Sequence, residues 1–147
     1  MPVRPLFGYE IKDALGGQVE ILSSDQIHGL KPPTLAVCNT SDSNTRGTHW
    51  VAVCIDKFNR GEWFDSFGLH PVAYGMETSM ENVSEWIYND VQLQNLSSNT
   101  CGYYTIAYCL AKINGFILEE IVQLFSGNKL LNDKLVIKWV SNVLQSE

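Results

Sequence analysis

The hydrophobic period changes once along the chain, and that change limits the folds open to it. In the first half the apolar residues form short β-branched runs, "TLAVCN" (34–39), "HWVAVCID" (49–56) and "EWFDSF" (62–67), which read as strands. From residue 101 onward they recur at helical spacing. The pattern predicts a helix over about 101–113, a second in "ILEEIVQLF" running to Gly127, and a third in "KLLNDKLVIKWVSNVLQ" with Leu131, Leu135, Trp139 and Val143 as its apolar stripe. Strands followed by helices imply an α+β domain in which helices pack on a small sheet.

The remaining segments fill in around this frame. "YEIKDALGG" predicts a short helix ended by Gly16 or Gly17, "QVEIL" a short extended piece and "HGLKPP" a loop. "TSDSNTRGT" separates the first two long strands as a polar loop, and "KFNRG" turns the chain so that 49–67 forms a hairpin. "METSMENVSEWIY" has the acidic first turn and apolar spacing of a modest helix, and "DVQLQ" alternates like a short edge strand. With no repeat, low-complexity tract or linker, the 147 residues read as one domain, 1–147.

Ten Lys and Arg against sixteen Asp and Glu give a net charge of −6 without any basic run, so no nucleic-acid partner is expected. No segment approaches the roughly 20 apolar residues of a bilayer span, and "MPVRPLFGYE" lacks the apolar run of a signal peptide. A soluble intracellular protein with no membrane partner is the expectation. The cysteines, at 38, 54, 101 and 109, are too dispersed for a disulfide framework and form no CxxC zinc pair, so reduced thiols and no metal are expected.

One thiol stands apart. In "SSNTCGYYTIAYC" (97–109) the residues Ser98, Asn99 and Thr100 are all N-cap formers, which sets Cys101 in the first turn of the following helix. The unpaired amides of that turn favour the thiolate. Gly102 removes bulk beside the sulfur and leaves room for a substrate backbone. Cys38, Cys54 and Cys109 lie inside apolar stretches and read as core residues.

A thiolate nucleophile needs a base, a group to orient that base and donors for the oxyanion. His28 and His70 sit in polar loops with no evident partner, whereas His49 opens a strong strand. Along that strand His49, Val51, Val53 and Ile55 share one face, so Asp56 points away from the imidazole. Asp65, in the apolar setting "WFDSFG", is the better acid. If the turn comprises the five residues 57–61, Asp56 opposes Glu62 and Asp65 opposes Val53, on the face of His49 but offset along the hairpin. The Cys101 amide is one oxyanion donor, and Gln94, Gln92 and Asn99 are candidates for the second.

The order His, Asp, Gln, Cys, carried by "GTHWVAVCID", "GEWFDSFG" and "LQNLSSNTCG", resembles the adenain-like cysteine proteases: the adenovirus maturation protease and its relatives in Maverick/Polinton transposons and adintoviruses. More distantly it resembles the SUMO-specific proteases. "LAVCNTSDSNTRGTHW" is similar to the segment before that family's catalytic histidine, and "GEWFDSFGLHP" and "EIVQLFSGNKLLNDKLVIKWV" look most like the transposon and adintovirus branch. The likeness runs from about residue 16 to 143.

The resemblance implies a papain-like cysteine protease architecture of the adenain/SUMO-protease type. It assigns His49 as general base, Asp65 as its orienting acid, Cys101 as nucleophile, and Gln94 with the Cys101 amide as oxyanion hole. Trp50 matches the aromatic that narrows the cleft around glycine-containing substrates, with Gly102 beside it. The implied activity is a cysteine endopeptidase, free of any cofactor, that cuts viral or transposon structural precursors next to small residues, in the host nucleus or cytoplasm or inside a virion. A deconjugating protease acting on ubiquitin-like tails, or an inactive binding module of the same fold, are the alternatives; acetyl transfer is a remote further one. Adenovirus enzymes carry a glutamate where this chain has Asp65, and are activated by a disulfide-linked peptide. No cysteine lies between Asp65 and Cys101, so an activating peptide would not be held here through a disulfide.

Overall fold

The computed structural model describes residues 4–41, 49–77 and 82–145. Helix α1 (Gly8–Leu15) leads to strands β1 (Glu20–Leu22), β2 (Thr34–Asn39), β3 (Trp50–Ile55), β4 (Arg60–Phe64) and β5 (Glu85–Tyr88). Helices α2 (Cys101–Ile113), α3 (Leu118–Val122) and α4 (Lys129–Gln145) follow. The strands form one mixed sheet in the order β1-β2-β3-β4-β5, antiparallel in the centre and parallel at both edges. The expected α+β class, a small mixed sheet packed with helices, is what the chain adopts. No helix among the described residues is long and apolar enough to cross a membrane.

The alternation of the central strands buries both faces of the sheet. Val37, Ala52 and Phe64 join residues of α1, α2 and α4 in one core. Ala36, Cys38, Val51, Val53, Ile55 and Trp63 form a second with Ile27 and Met76. Helix α2 is buried on almost every side, from Cys101 through Ala111. Its polar links to the sheet converge on Glu62 of β4, which accepts from Tyr108 Oη at 2.7 Å and Lys112 Nζ at 3.1 Å.

Several expectations need correction. The β3–β4 loop is shorter than the five residues supposed: Asp56 N–H donates to the Arg60 carbonyl at 2.9 Å, so only Lys57, Phe58 and Asn59 lie outside the ladder. Asn59 takes a left-handed φ of 62°, and Asp56 Oδ1 accepts the Phe58 and Arg60 amides at 2.9 and 3.0 Å. These are the devices that let three residues close a hairpin. The register therefore moves by two, with Cys54 opposite Glu62 and Val53 opposite Trp63. A shift of two keeps every side chain on its face.

The helix expected over 76–88 does not form where the chain is described. Trp86 and Ile87 belong to β5, with Trp86 paired to Gly61, and exposure alternates along 85–88; residues 78–81 lie outside the described set. "DVQLQ" is not a strand: Asp90 has a φ of 48°, which ends the extended run, and the Leu93 and Gln94 amides both turn back to the Ser66 carbonyl at 2.8 and 3.0 Å. The third strand stops at Phe64, and the middle helix spans only 118–122. In α4 the buried residues are Asn132, Asp133, Val136 and Val140, while Leu131 and Trp139 are exposed. The core face is thus one position on from the apolar stripe, with Asn132 and Asp133 buried where Leu131 was expected.

Candidate active site

The early end of β4 builds the site. Thr40 N–H donates to the His49 carbonyl at 2.9 Å, which makes 40/49 a hydrogen-bonded pair of the β2–β3 ladder and leaves 39/50 a non-bonded one. The Trp50 amide consequently faces the β4 side, where that strand has already ended. It donates instead to Cys101 Sγ, at 3.5 Å. Continuing the β3–β4 register by one pair sets Asp65 opposite Val51, two positions nearer His49 than the longer loop would have allowed.

His49 Nε2 lies 2.7 Å from Asp65 Oδ1, and both residues are buried. The Cys101 side chain lies near enough to the same ring to raise its pKa, and its sulfur accepts the amide of Trp50, the residue next to His49. Phe67 stacks on the imidazole at 4.6 Å between centroids and Tyr74 at 5.4 Å, so the ring has one orientation. Three of the predicted residues thus meet, although they come from separate stretches of chain.

Asp65 is fully buried and saturated with donors. Oδ1 also accepts the Phe67 amide at 3.0 Å, while Oδ2 accepts the Leu69 amide at 3.3 Å and the Tyr74 hydroxyl. Asn89 clamps its backbone, accepting from the Asp65 amide at 3.0 Å and donating to its carbonyl at 2.6 Å. Donors on both oxygens and on its backbone fix the carboxylate in one orientation beside the imidazole.

Burial works against a charged imidazole, but the hydrogen bond with Asp65 and the nearby Cys101 side chain, reinforced by their charge, outweigh it and lift the His49 pKa to about 9. The folded chain therefore holds this proton more tightly than the unfolded one. The resulting stabilisation, about 3 kcal/mol, is complete below the ordinary value of 6.5 and is lost as pH rises through about 9. Urea unfolding of wild type against His49→Gln should show a gap that closes between pH 6.5 and 9.5.

Burial pushes Cys38 up to about 12 and raises Cys109 and Cys54 as well, which fits their reading as core residues.

Of the three amide candidates, Gln94 is fully buried, Gln92 turns to the Gln94 carbonyl at 2.9 Å, and Asn99 is exposed. Gln94 Oε1 accepts from Ser66 Oγ at 2.6 Å. Its Nε2 donates to the Ser98 carbonyl at 3.0 Å and lies 3.2 Å from Ser98 Oγ, on the segment that delivers Cys101. Thr100 is the N-cap of α2 as expected, yet its side chain makes no capping bond. The hydroxyl goes to Asp133 instead, at 3.1 Å.

Trp50 stands half-buried, its Nε1–H donating to the Leu6 carbonyl at 3.1 Å. Leu6 also corrects the reason given for Gly102. A Cβ there would meet Leu6 Cβ at 3.1 Å, so the gap beside the sulfur is filled by the chain's own N-terminal segment and is not left for substrate. His70 has a partner after all, Asp90, and stacks on Tyr88 at 4.0 Å, outside the Cys101 cluster.

Tyr74, Asn89, Ser66 and Asp133 were not anticipated. The one available signal was Asp65 followed three residues later by Gly68, a turn signature, and the Gly68 amide does bond the Asp65 carbonyl at 2.8 Å. Gly68 has a φ of +74°, and a Cβ on it would lie 2.7 Å from the Val91 carbonyl carbon. Gly68→Ala should cost about 1–3 kcal/mol in denaturant unfolding and displace the Leu69 amide from Asp65.

The fold has known counterparts. The chain is similar to the ASFV pS273R protease, with a TM-score of 0.58 at 16% identity over 90% of this chain and 67% of the other. The two chains share a fold. The chain is also similar to the central domain of the uncharacterized Lpg1148 protein of Legionella pneumophila, with a TM-score of 0.54 at 12% identity over 97% of this chain and 99% of that domain. No family model and no curated protein matches the sequence.

Proposed function

We propose that the chain is a cysteine endopeptidase of the adenain-like type. The observation that carries this reading is the buried His49–Asp65 hydrogen bond with the Cys101 sulfur bonded to the very next backbone amide, that of Trp50, in a chain whose fold is shared with a protease. His49 takes the thiol proton and stores it as imidazolium, which Asp65 orients and stabilises. The thiolate attacks the scissile carbonyl, and the tetrahedral oxyanion is met by the Cys101 amide and by a Gln94 Nε2–H that leaves Ser98 for it. His49 then gives its proton to the leaving amine. Water, deprotonated by the same ring, hydrolyses the thioester and restores the thiol.

The substrates proposed are structural precursor polypeptides of a virus or transposon, cut beside glycine. This rests on the resemblance of the His49, Asp65, Gln94 and Cys101 segments to the Maverick and adintovirus enzymes, with Trp50 as the wall against which a small residue fits. Purified protein should cleave glycine-containing peptides and label slowly with a ubiquitin-like vinyl sulfone. Rapid labelling at Cys101 without peptide cleavage would replace this substrate class by ubiquitin-like conjugates. A Cys101 no more reactive than Cys54 toward a broad thiol probe would remove the enzyme reading.

A further inference from the structure

Helix α4 buries two adjacent polar side chains where its other inward residues are Val136 and Val140. Asn132 is fully buried and Asp133 nearly so. Desolvating a carboxylate costs several kcal/mol unless donors replace the water, so its partners matter. Asp133 Oδ1 accepts from Thr100 Oγ1 at 3.1 Å and from Tyr104 Oη at 2.8 Å. Asn132 Nδ2 donates to the Leu93 carbonyl at 3.0 Å and the Ser126 carbonyl at 2.8 Å, and its Oδ1 accepts the Ser126 amide at 2.9 Å. Tyr104 Oη reaches the same Leu93 carbonyl, at 3.3 Å.

The two anchor points are not arbitrary. Leu93 immediately precedes Gln94, and Thr100 immediately precedes Cys101. One turn of one helix thus grips the residue before each proposed oxyanion donor.

Between the grips the segment is cross-tied. A carboxylate only accepts, so Thr100 spends its proton on Asp133 and offers a lone pair to Ser98 Oγ, 2.9 Å away. The Ser98 proton leaves toward Thr100 or toward the Asn95 carbonyl at 3.0 Å, and either way its oxygen is left to accept from Gln94 Nε2. Ser66 holds the other end of the amide.

We propose that the Asn132–Asp133 pair is a positioning device that sets the separation between the Gln94 amide and the Cys101 N–H, so that a Gln94 N–H released from Ser98 and the Cys101 N–H reach one oxyanion. The inference rests on the protease reading of the same site. Neither residue touches substrate; both act through Leu93 and Thr100.

The test compares wild type with Thr100→Val, which removes the hydroxyl link at constant shape, and with Asp133→Ala. Three quantities are read: kcat and KM on a glycine-containing peptide, the affinity of a peptide aldehyde whose hemithioacetal oxygen occupies the oxyanion position, and the rate at which iodoacetamide alkylates Cys101. Alkylation needs the thiolate and His49 but no oxyanion donor. Both variants should lose at least about tenfold in kcat and in aldehyde affinity, against the ~100–1,000-fold of deleting a donor outright. KM and alkylation should stay within about twofold, since neither depends on a donor aimed at the transition state.

Parallel loss of alkylation and aldehyde binding would make the pair merely structural and overturn the inference, as would no change in either. If Asp133→Ala does not fold, Thr100→Val alone decides. A wild type that neither cleaves the peptide nor binds the aldehyde overturns the protease reading and this inference with it. A wild type that does both, with unchanged variants, overturns the inference alone.

Discussion

Cys101→Ala should reduce peptide cleavage by a factor on the order of 10⁴ or more, to the level that binding and oxyanion contacts leave behind. The same substitution at Cys38, Cys54 or Cys109 should leave kcat within about threefold, because those sulfurs sit in core contacts and face no imidazole. The contrast needs little correction for folding. Cys101 accepts one weak bond, from the Trp50 amide, so the alanine variant should unfold within about 1–2 kcal/mol of wild type. Cleavage that survives in folded Cys101→Ala would mean that another group attacks the substrate.

Asp65→Asn should be nearly as damaging, by a different route. The carboxylate receives four donors, His49 Nε2 and the Phe67 amide on one oxygen and the Leu69 amide and Tyr74 hydroxyl on the other. An amide has a single oxygen, so whichever way it turns its NH2 confronts a backbone N–H that cannot reverse. The expected consequences are a loss of about 3 kcal/mol in stability and a fall of about 10²–10⁴ in kcat. The His49 pKa should drop from about 9 toward its ordinary 6.5. Titration of the imidazole by NMR separates these effects: a ring that still titrates near 9 in the variant would show that Asp65 does not govern it.

Much of this arrangement was readable from residue order. His49 at a strand start, Asp65 in an apolar hairpin arm and Cys101 behind three N-cap formers are local patterns, and each has a local cause. The helix at 101–113 and strands β2 and β3 were legible for the same reason, since their periodicity is sustained. The failures are of two kinds. The hairpin register depended on whether Asn59 would enter the left-handed region, and Glu85–Tyr88, expected to end a helix, became strand because β4 offered Trp86 the bare surface of Gly61. Tertiary pairing overrode propensity there.

The second kind is polar burial. Asp133 reads as a solvated acid on its helix, and only the hydrogen bond from Thr100, 33 residues away in sequence, reveals otherwise. Leu6 gave no sign that it would fill the space above Gly102.

The sulfur's amide donor stands 51 positions from it along the polypeptide, and the imidazole's acid partner 16 positions from the ring. No short fragment holds all these groups, so the proposed nucleophile and base meet only once the tertiary contacts have closed. In the proposed protease, nascent or partly denatured copies would be inert toward neighbouring proteins, a safeguard that follows from topology.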